Sequence, residues 1–374
     1  MRGSPVLIHC RARVQLPFAE PYLTPFCSHD LESALLPAPT FDSVEGAYIA
    51  LLRLATERPE HRIDARGNAA REVIGVGFRL TDPRQRLPYL AERKANPVFQ
   101  FAEALWYLAG RRDLEMIGYY APSMRSSSAD GIRLGGSAYG HALFSPARGG
   151  QSQFDQVMDL LVTEVDSKRG YLPVFTAKEL VDRDNPDVAC LAGLHLLVRD
   201  GQLHMVCNMR ANDLDCGLLS DVFSFTMIQE YAAIQLGLRL GTYTHVIGSA
   251  HVNDRNDERV KRVLDEADSR PAPPSFHFPA MPENTEGSTV AHVLQHEEAL
   301  RTNRLRYSAE DIASLDLDPY WQQVVLLFEL YRQIQHDQAA VVDPAVLAAL
   351  DPGLRWLMEH KWPVCTATSG GGSR

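Results

Sequence analysis

Residues 191–198, LAGLHLLV, and 203–208, LHMVCN, are two apolar runs joined by Arg199-Asp200-Gly201. Asp-Gly between two such runs signals a tight β-hairpin, because the turn needs residues that tolerate positive φ. The residue types around this hairpin can do chemistry. Cys190 precedes its first strand; Arg210, Asp213 and Gly217 follow its second, and Ser220-Asp221 opens a long helix to about Gly237. A nucleophilic thiol, a guanidinium that grips phosphate and carboxylates that read a base edge suit a C5-modifying pyrimidine nucleotide enzyme. C5 becomes nucleophilic once a thiolate has added to C6, so that chemistry needs one activated cysteine. A cysteine standing alone is usually a small core residue. Arg210, which can cross the hairpin and lower the thiol pKa, turns the reading of Cys190 towards the nucleophile. Cys207 and Cys216 have no such frame and are read as core.

Phe41–Arg53 reads as an amphipathic helix capped near Asp42 or Ser43, and Val73–Leu80 as a strand. Asn96-Pro97 caps and opens a helix that Gly110 stops. Phe154–Val165 reads as a helix, Tyr171–Phe175 and Thr242–Gly248 as strands. Residues 121–150, rich in Ser, Gly, Arg and Ala, are expected to form a long loop. Residues 255–310 are polar and broken by prolines, and a helical tail is expected over 318–360. The division is a proline-rich extension (1–40), a catalytic domain (41–360) and a flexible tail (361–374). Strands mixed with long helices, without regular alternation, indicate an α+β fold.

A chain of 374 residues, 45% apolar, can bury a large core, while a net charge of -10 argues against a surface that coats nucleic acid. The six cysteines are irregularly spaced with no CxxC pair, which points to reduced thiols, a cytoplasmic protein and no metal. No apolar run approaches the roughly 18 residues of a membrane span. Gly135-Gly136 lacks the strand–turn–helix setting of a dinucleotide fingerprint.

The ordered set Cys190, Arg199-Asp200-Gly201, Arg210, Asp213, Gly217 and His251 resembles the thymidylate synthase superfamily, over roughly residues 41 to 256. The resemblance implies a thymidylate synthase-like α+β fold with a large mixed, twisted sheet packing at a homodimer interface. It also implies 5,10-methylenetetrahydrofolate as co-substrate and a nucleotide monophosphate as partner. Within Phe101–Tyr107, Glu103 takes the place of the family's catalytic glutamate. Tyr139-Gly140 matches a Tyr-Gly near the nucleotide. Lys168 and Arg169 match the pair that reaches into the neighbouring subunit's phosphate site, and Arg66 is a weaker match to the arginine of a mobile N-terminal loop. Asp213 and Gly217 fall to the folate. His251 is open between a ribose ligand and a core histidine; for His195 packing is favoured.

The departures concern the substrate. Asp221 stands where the family has the asparagine that pairs with uracil. A carboxylate accepts from the exocyclic amine of cytosine, as in the deoxycytidylate hydroxymethylases of the family. Asp221 is also a candidate helix cap, and both roles are compatible. Ala211 replaces a phosphate-site serine, Lys168 an arginine and Asn253 the tyrosine that holds the 3′-hydroxyl. Either these exchanges are neutral or they admit a 2′-hydroxyl. The second reading resembles the CMP 5-hydroxymethylases of pyrimidine nucleoside antibiotic pathways, with catalytic Cys190, Glu103 and Asp221 and with Arg66, Tyr139, Lys168, Arg169, Arg210, Ala211, His251 and Asn253 around the nucleotide. A dCMP hydroxymethylase, a methylating synthase and a non-catalytic nucleotide- or RNA-binding relative are the alternatives.

Overall fold

The hairpin closes through Asp200 at φ 51° and Gly201 at φ 69°, the two left-handed residues that a type I′ turn requires. The computed structural model describes residues 38–65, 67–146, 150–181, 184–270 and 276–366. Its strands are β1 (Thr40–Phe41), β2 (His61–Ala65), β3 (Asn68–Leu80), β4 (Tyr171–Pro173), β5 (Leu191–Arg199), β6 (Gln202–Asp213) and β7 (Arg239–Asn253). They form one mixed sheet in the order β1-β3-β7-β6-β5-β4, with β2 paired to β3. The pairs β1–β3 and β6–β7 are parallel and the others antiparallel.

The helices are α1 (Val44–Glu57), α2 (Pro97–Leu108), α3 (Leu114–Tyr120), α4 (Tyr139–Phe144), α5 (Gln153–Thr163) and α6 (Leu218–Gln235). Then come α7 (Asp257–Ser269), α8 (Gly287–Arg301), α9 (Ala309–Ala313), α10 (Pro319–Arg332), α11 (Pro344–Ala348) and α12 (Pro352–Lys361). The parallel strands β6 and β7 are joined through α6, whose apolar positions run almost all round because it lies between the sheet and α2. Phe101 of α2 meets Phe223 of α6 edge to face at 5.0 Å, and Tyr320 of α10 closes on Phe101 at 6.4 Å. Full burial of Trp106 and Trp321 adds roughly 2–3 kcal/mol each.

Local chemistry sets the boundaries. Asn96 accepts from Phe99 N at 3.0 Å, Pro97 takes the first helical position, and Gly110 leaves the helix at φ 62°. A Cβ at Gly140 would stand 2.1 Å from Tyr107 Cα, so glycine lets α4 lie directly on α2.

Three expectations change. Residues 121–150 are not all loop: a 3₁₀ turn (Pro122–Ser127) and α4 lie within them. The Asp187 carboxylate organises the approach to α4, accepting from Gly135 N at 2.8 Å and Ser137 N at 2.9 Å. The 255–310 region contains α7 and α8. On α7 the buried residues are Val260 and Val263, a helical period masked by the charges between them. The tail is several helices: the chain leaves the first at Gln338, φ 46°, and Asp343-Pro344 and Asp351-Pro352 each cap and open a further one. The proposed divisions 1–40 and 361–374 lie largely outside the described residues.

Candidate active site

Strands β6 and β7 end side by side, next to the start of β3 and the segment entering β5. A cavity of about 740 Å³ opens there, lined by Cys190, Arg210, Ala211, His251 and Asn253 among others, with Glu72 of the β2–β3 hairpin on its wall. Arg66 of that hairpin lies outside the described residues.

Cys190 is partly buried and free. Its carbonyl accepts from Arg210 N at 2.9 Å, and the Arg210 guanidinium donates to Ala189 O at 2.7 Å and Val188 O at 2.9 Å. The crossing of the hairpin expected of Arg210 is therefore present. Two of its five N–H groups are used, leaving three for an anion. Burial raises the Cys190 thiol pKa, Arg210 lowers it, and Asp221, Asp187 and Glu179 raise it, so the thiol ends above its ordinary value. At rest Cys190 is protonated at neutral pH.

Two coupled acidic side chains stand outside the cavity lining, Asp221, whose charge acts on the thiol, and Glu103 beside Asp221. Glu103 of α2 is buried and accepts from Ser224 Oγ at 3.1 Å. Burial and then the Asp221 charge push its pKa up to about 8. Asp221, also pushed up chiefly by burial, reaches about 7; it accepts from Asn212 Nδ2 at 2.7 Å, which pulls the other way. Tyr139 stands beside them, bonding to the Cys190 backbone and resting its ring 5.5 Å from that of Tyr107. Asp221 is not the cap of α6. Gly217 holds that position without a side-chain bond, and Asp221 sits one turn in. A Cβ at Gly217 would come within 3.4 Å of Asp221 Oδ2.

Asp213 is heavily engaged. One oxygen accepts from Asp215 N and Cys216 N, each at 3.0 Å, and the other from Asn253 Nδ2 at 2.6 Å. Asp213 thus shapes the β6–α6 turn and holds Asn253 in the cavity wall. His251 contributes to the same wall, its Nδ1 3.4 Å from Ser249 O. Lys168 and Arg169 stand apart from the cavity lining in this chain. Both are exposed, Arg169 pairs with Glu164, and His195 Nε2 donates to Lys168 O at 3.0 Å. His195 also packs edge-on against Tyr171, the packing role favoured for it. Cys207 is core, whereas Cys216 is exposed at the surface, its sulfur 3.3 Å from Arg259 Nη2 and 3.4 Å from Asn256 Nδ2.

Sequence reasoning missed Asn212, His245 and Asp187. Asn212 sits inside the Arg210–Asp213 motif, but strict alternation from the buried Met209 would turn it outward. The inward phase of β6 and β7 changes together near Arg210 and Gly248. Cys207, Met209, His245 and Ile247 face the core before that point, and Asn212, Ala250 and Val252 after it. No group of side chains among the described residues forms a metal site.

Residues 46–293 match the family model described as thymidylate synthase. The deoxyuridylate hydroxymethyltransferase of Pseudomonas phage M6 is 31% identical over 185 residues, 49% of this chain and 52% of that protein. That of Bacillus phage SP01 is 30% identical over 200 residues, 50% and 51% of the two chains. That of Delftia phage PhiW-14 is 28% identical over 213 residues, 54% and 58%. The chain spans about half the length of the curated relatives it matches.

Proposed function

The chain belongs to the thymidylate synthase family, and on that premise we propose that it is a cytoplasmic cytidylate 5-hydroxymethylase. It joins the methylene carbon of 5,10-methylenetetrahydrofolate to C5 of CMP, and water completes a 5-hydroxymethyl group. The observation that carries the base is Asp221, a carboxyl near the thiol with a pKa of about 7 and one oxygen held by an amide. Such a group accepts from the exocyclic amine of cytosine and shares a proton with N3.

Arg210 meets the phosphate with its three remaining N–H groups. Arg66 joins it, with Lys168 and Arg169 contributed by a second copy of the chain. The outer face of the sheet carries Ile74, 57% exposed, and Val246, 38% exposed, a surface suited to a homodimer packed sheet to sheet.

The Cys190 thiol gives its proton to solvent as Sγ bonds to C6, and the proton shared between Asp221 and N3 moves onto the base. C5 then takes up the one-carbon unit and loses its own proton to solvent as the folate departs. Folate supplies the one-carbon electrophile when bound. Asp213 uses three of roughly four acceptor positions internally, leaving one for a pterin N–H. Glu103, neutral at pH 7 with a pKa of about 8, orients the water that adds to the C5 substituent. Sγ then leaves C6, N3 returns its proton to Asp221, and Cys190 takes one back from solvent.

Hydroxymethylation rather than methylation is supported by the similarity to deoxyuridylate hydroxymethyltransferases. The ribose is supported by Ala211 and Asn253 in the cavity wall and by Lys168. The substrate in the names of those relatives, deoxyuridylate, favours a second reading. Mass spectrometry of products from CMP, dCMP, UMP and dUMP with 5,10-methylenetetrahydrofolate decides between them. A hydroxymethyl product mainly from CMP is expected; one mainly from dUMP would replace the cytosine reading.

A further inference from the structure

Behind the cavity, a line of buried polar side chains ends on Asp221. The Tyr243 hydroxyl lies 2.7 Å from His245 Nδ1, His245 Nε2 3.0 Å from Asn212 Oδ1, and Asn212 Nδ2 2.7 Å from Asp221 Oδ2. Tyr243 and His245 are fully buried and Asn212 is 4% exposed. Phe78 stacks on the imidazole at 5.3 Å, and Cys207 is the other neighbour of the phenol.

The direction of every bond follows from the ends. An ionised carboxylate only accepts, so with Asp221 ionised Asn212 presents Nδ2 to the carboxyl and Oδ1 to the histidine. An acceptor facing Nε2 requires the proton there. Burial holds the imidazole neutral, with a pKa down to about 3, so Nδ1 carries none and accepts from the phenol. With Asp221 ionised, one arrangement satisfies the whole line.

We propose that Asn212, His245 and Tyr243 are positioning residues that set the base specificity of Asp221. Asn212 occupies Oδ2 as an acceptor and stops the carboxyl from rotating. Oδ1 is then the oxygen offered to the pyrimidine, and any proton on the carboxyl resides there. Among the described residues, Glu103 and Tyr107 of α2, Tyr139 of α4, Cys190, Cys207, Asp213 and Tyr243 are the titratable groups coupled to Asp221. None of these is a cation, so the amide bond is what anchors the group. Buried polar side chains are costly unless all are satisfied, and apolar residues would fill the same space without that cost. A line that is satisfied throughout and ends at one carboxyl oxygen is a device for orienting that oxygen. This inference rests on reading Asp221 as the group that recognises the base.

The test compares kcat/KM for CMP and UMP, with 5,10-methylenetetrahydrofolate, in Asn212→Leu, His245→Phe, His245→Gln and Asp221→Asn proteins. The CMP:UMP ratio is expected to fall roughly tenfold or more in Asn212→Leu and His245→Phe, through KM more than kcat. Partial recovery is expected in His245→Gln, whose amide N–H replaces that of Nε2. A wild-type ratio in both Asn212→Leu and His245→Phe, with Asp221→Asn shifted, overturns the positioning role alone. An unshifted ratio in Asp221→Asn removes the base reading beneath it. Nitrogen-15 NMR of histidine-labelled wild-type protein tests the line without mutation. A neutral His245 protonated on Nε2 from pH 5 to 8 is expected, and a proton on Nδ1 overturns the proposal.

Discussion

Helix α6 carries two inward-facing carboxyls, and they are treated in opposite ways. Glu230 is buried near its C-terminal end, paired with Arg86 and, at 2.6 Å, with Arg84, and it also accepts from Met281 N at 3.0 Å. Burial raises its pKa, but the two guanidinium groups and the hydrogen bonds outweigh that and leave it below the ordinary value. Asp221, in the first turn, has an amide partner and no cation among the described residues, and its pKa is pushed up to about 7. A buried carboxyl neutralised by arginines is spent on structure. One that stays poised between its two protonation states near neutral pH, close to a cysteine, is available for chemistry.

The largest effect is expected at the thiol on which the proposed chemistry depends. Replacing Cys190 with Ala is expected to lower turnover by roughly 10⁴-fold or more while leaving the melting temperature within a few degrees. Product formed at the wild-type rate would remove the covalent scheme. At the other end of α6, Glu230→Gln leaves Arg86 buried beside a neutral amide. It is expected to cost about 3–5 kcal/mol in denaturant unfolding and to leave the CMP:UMP ratio unchanged. An altered ratio would mean that the two ends are not separate in role.

Asp221→Asn reverses the expectation, with little loss of stability and a shift of about 10- to 100-fold in preference towards uracil nucleotides. Direct competition between CMP and UMP measures it.

The pH dependence of stability is a gentler test. Asp221 and Glu103 are raised above ordinary carboxyl values, to about 7 and about 8. Their contribution is therefore fully present below pH 4 and declines as pH rises through 7 and 8. Unfolding free energy from pH 5 to 8.5 is expected to fall on the order of 2 kcal/mol more in wild type than in Asp221→Asn. Parallel profiles would show that Asp221 is not perturbed. The smallest effect is expected from Ala211→Ser, a few-fold shift from CMP towards dCMP seen in paired turnover assays.

Much of this was legible in the sequence. Asp200-Gly201 carries its own turn geometry, Asn96-Pro97 and Gly110 bound α2, and Cys190 and Arg210 flank a hairpin that brings them together. What the sequence concealed has physical causes. The helical period of α7 is hidden among charges. The change of inward phase near Arg210 and Gly248 turns Asn212 to the core, against the alternation that served for the rest of β6.

Turn φ values, caps and hairpin pairing act over a few positions, so the β5–β6 hairpin, the bounds of α2 and the residue types at the cavity follow from the sequence. Tertiary structure alone decided which of two carboxyls on one helix would meet arginines, and that Tyr243, His245 and Asn212 would line up behind Asp221. Those outcomes depend on the register between parallel strands and on burial, and both are properties of contacts between segments far apart in the chain.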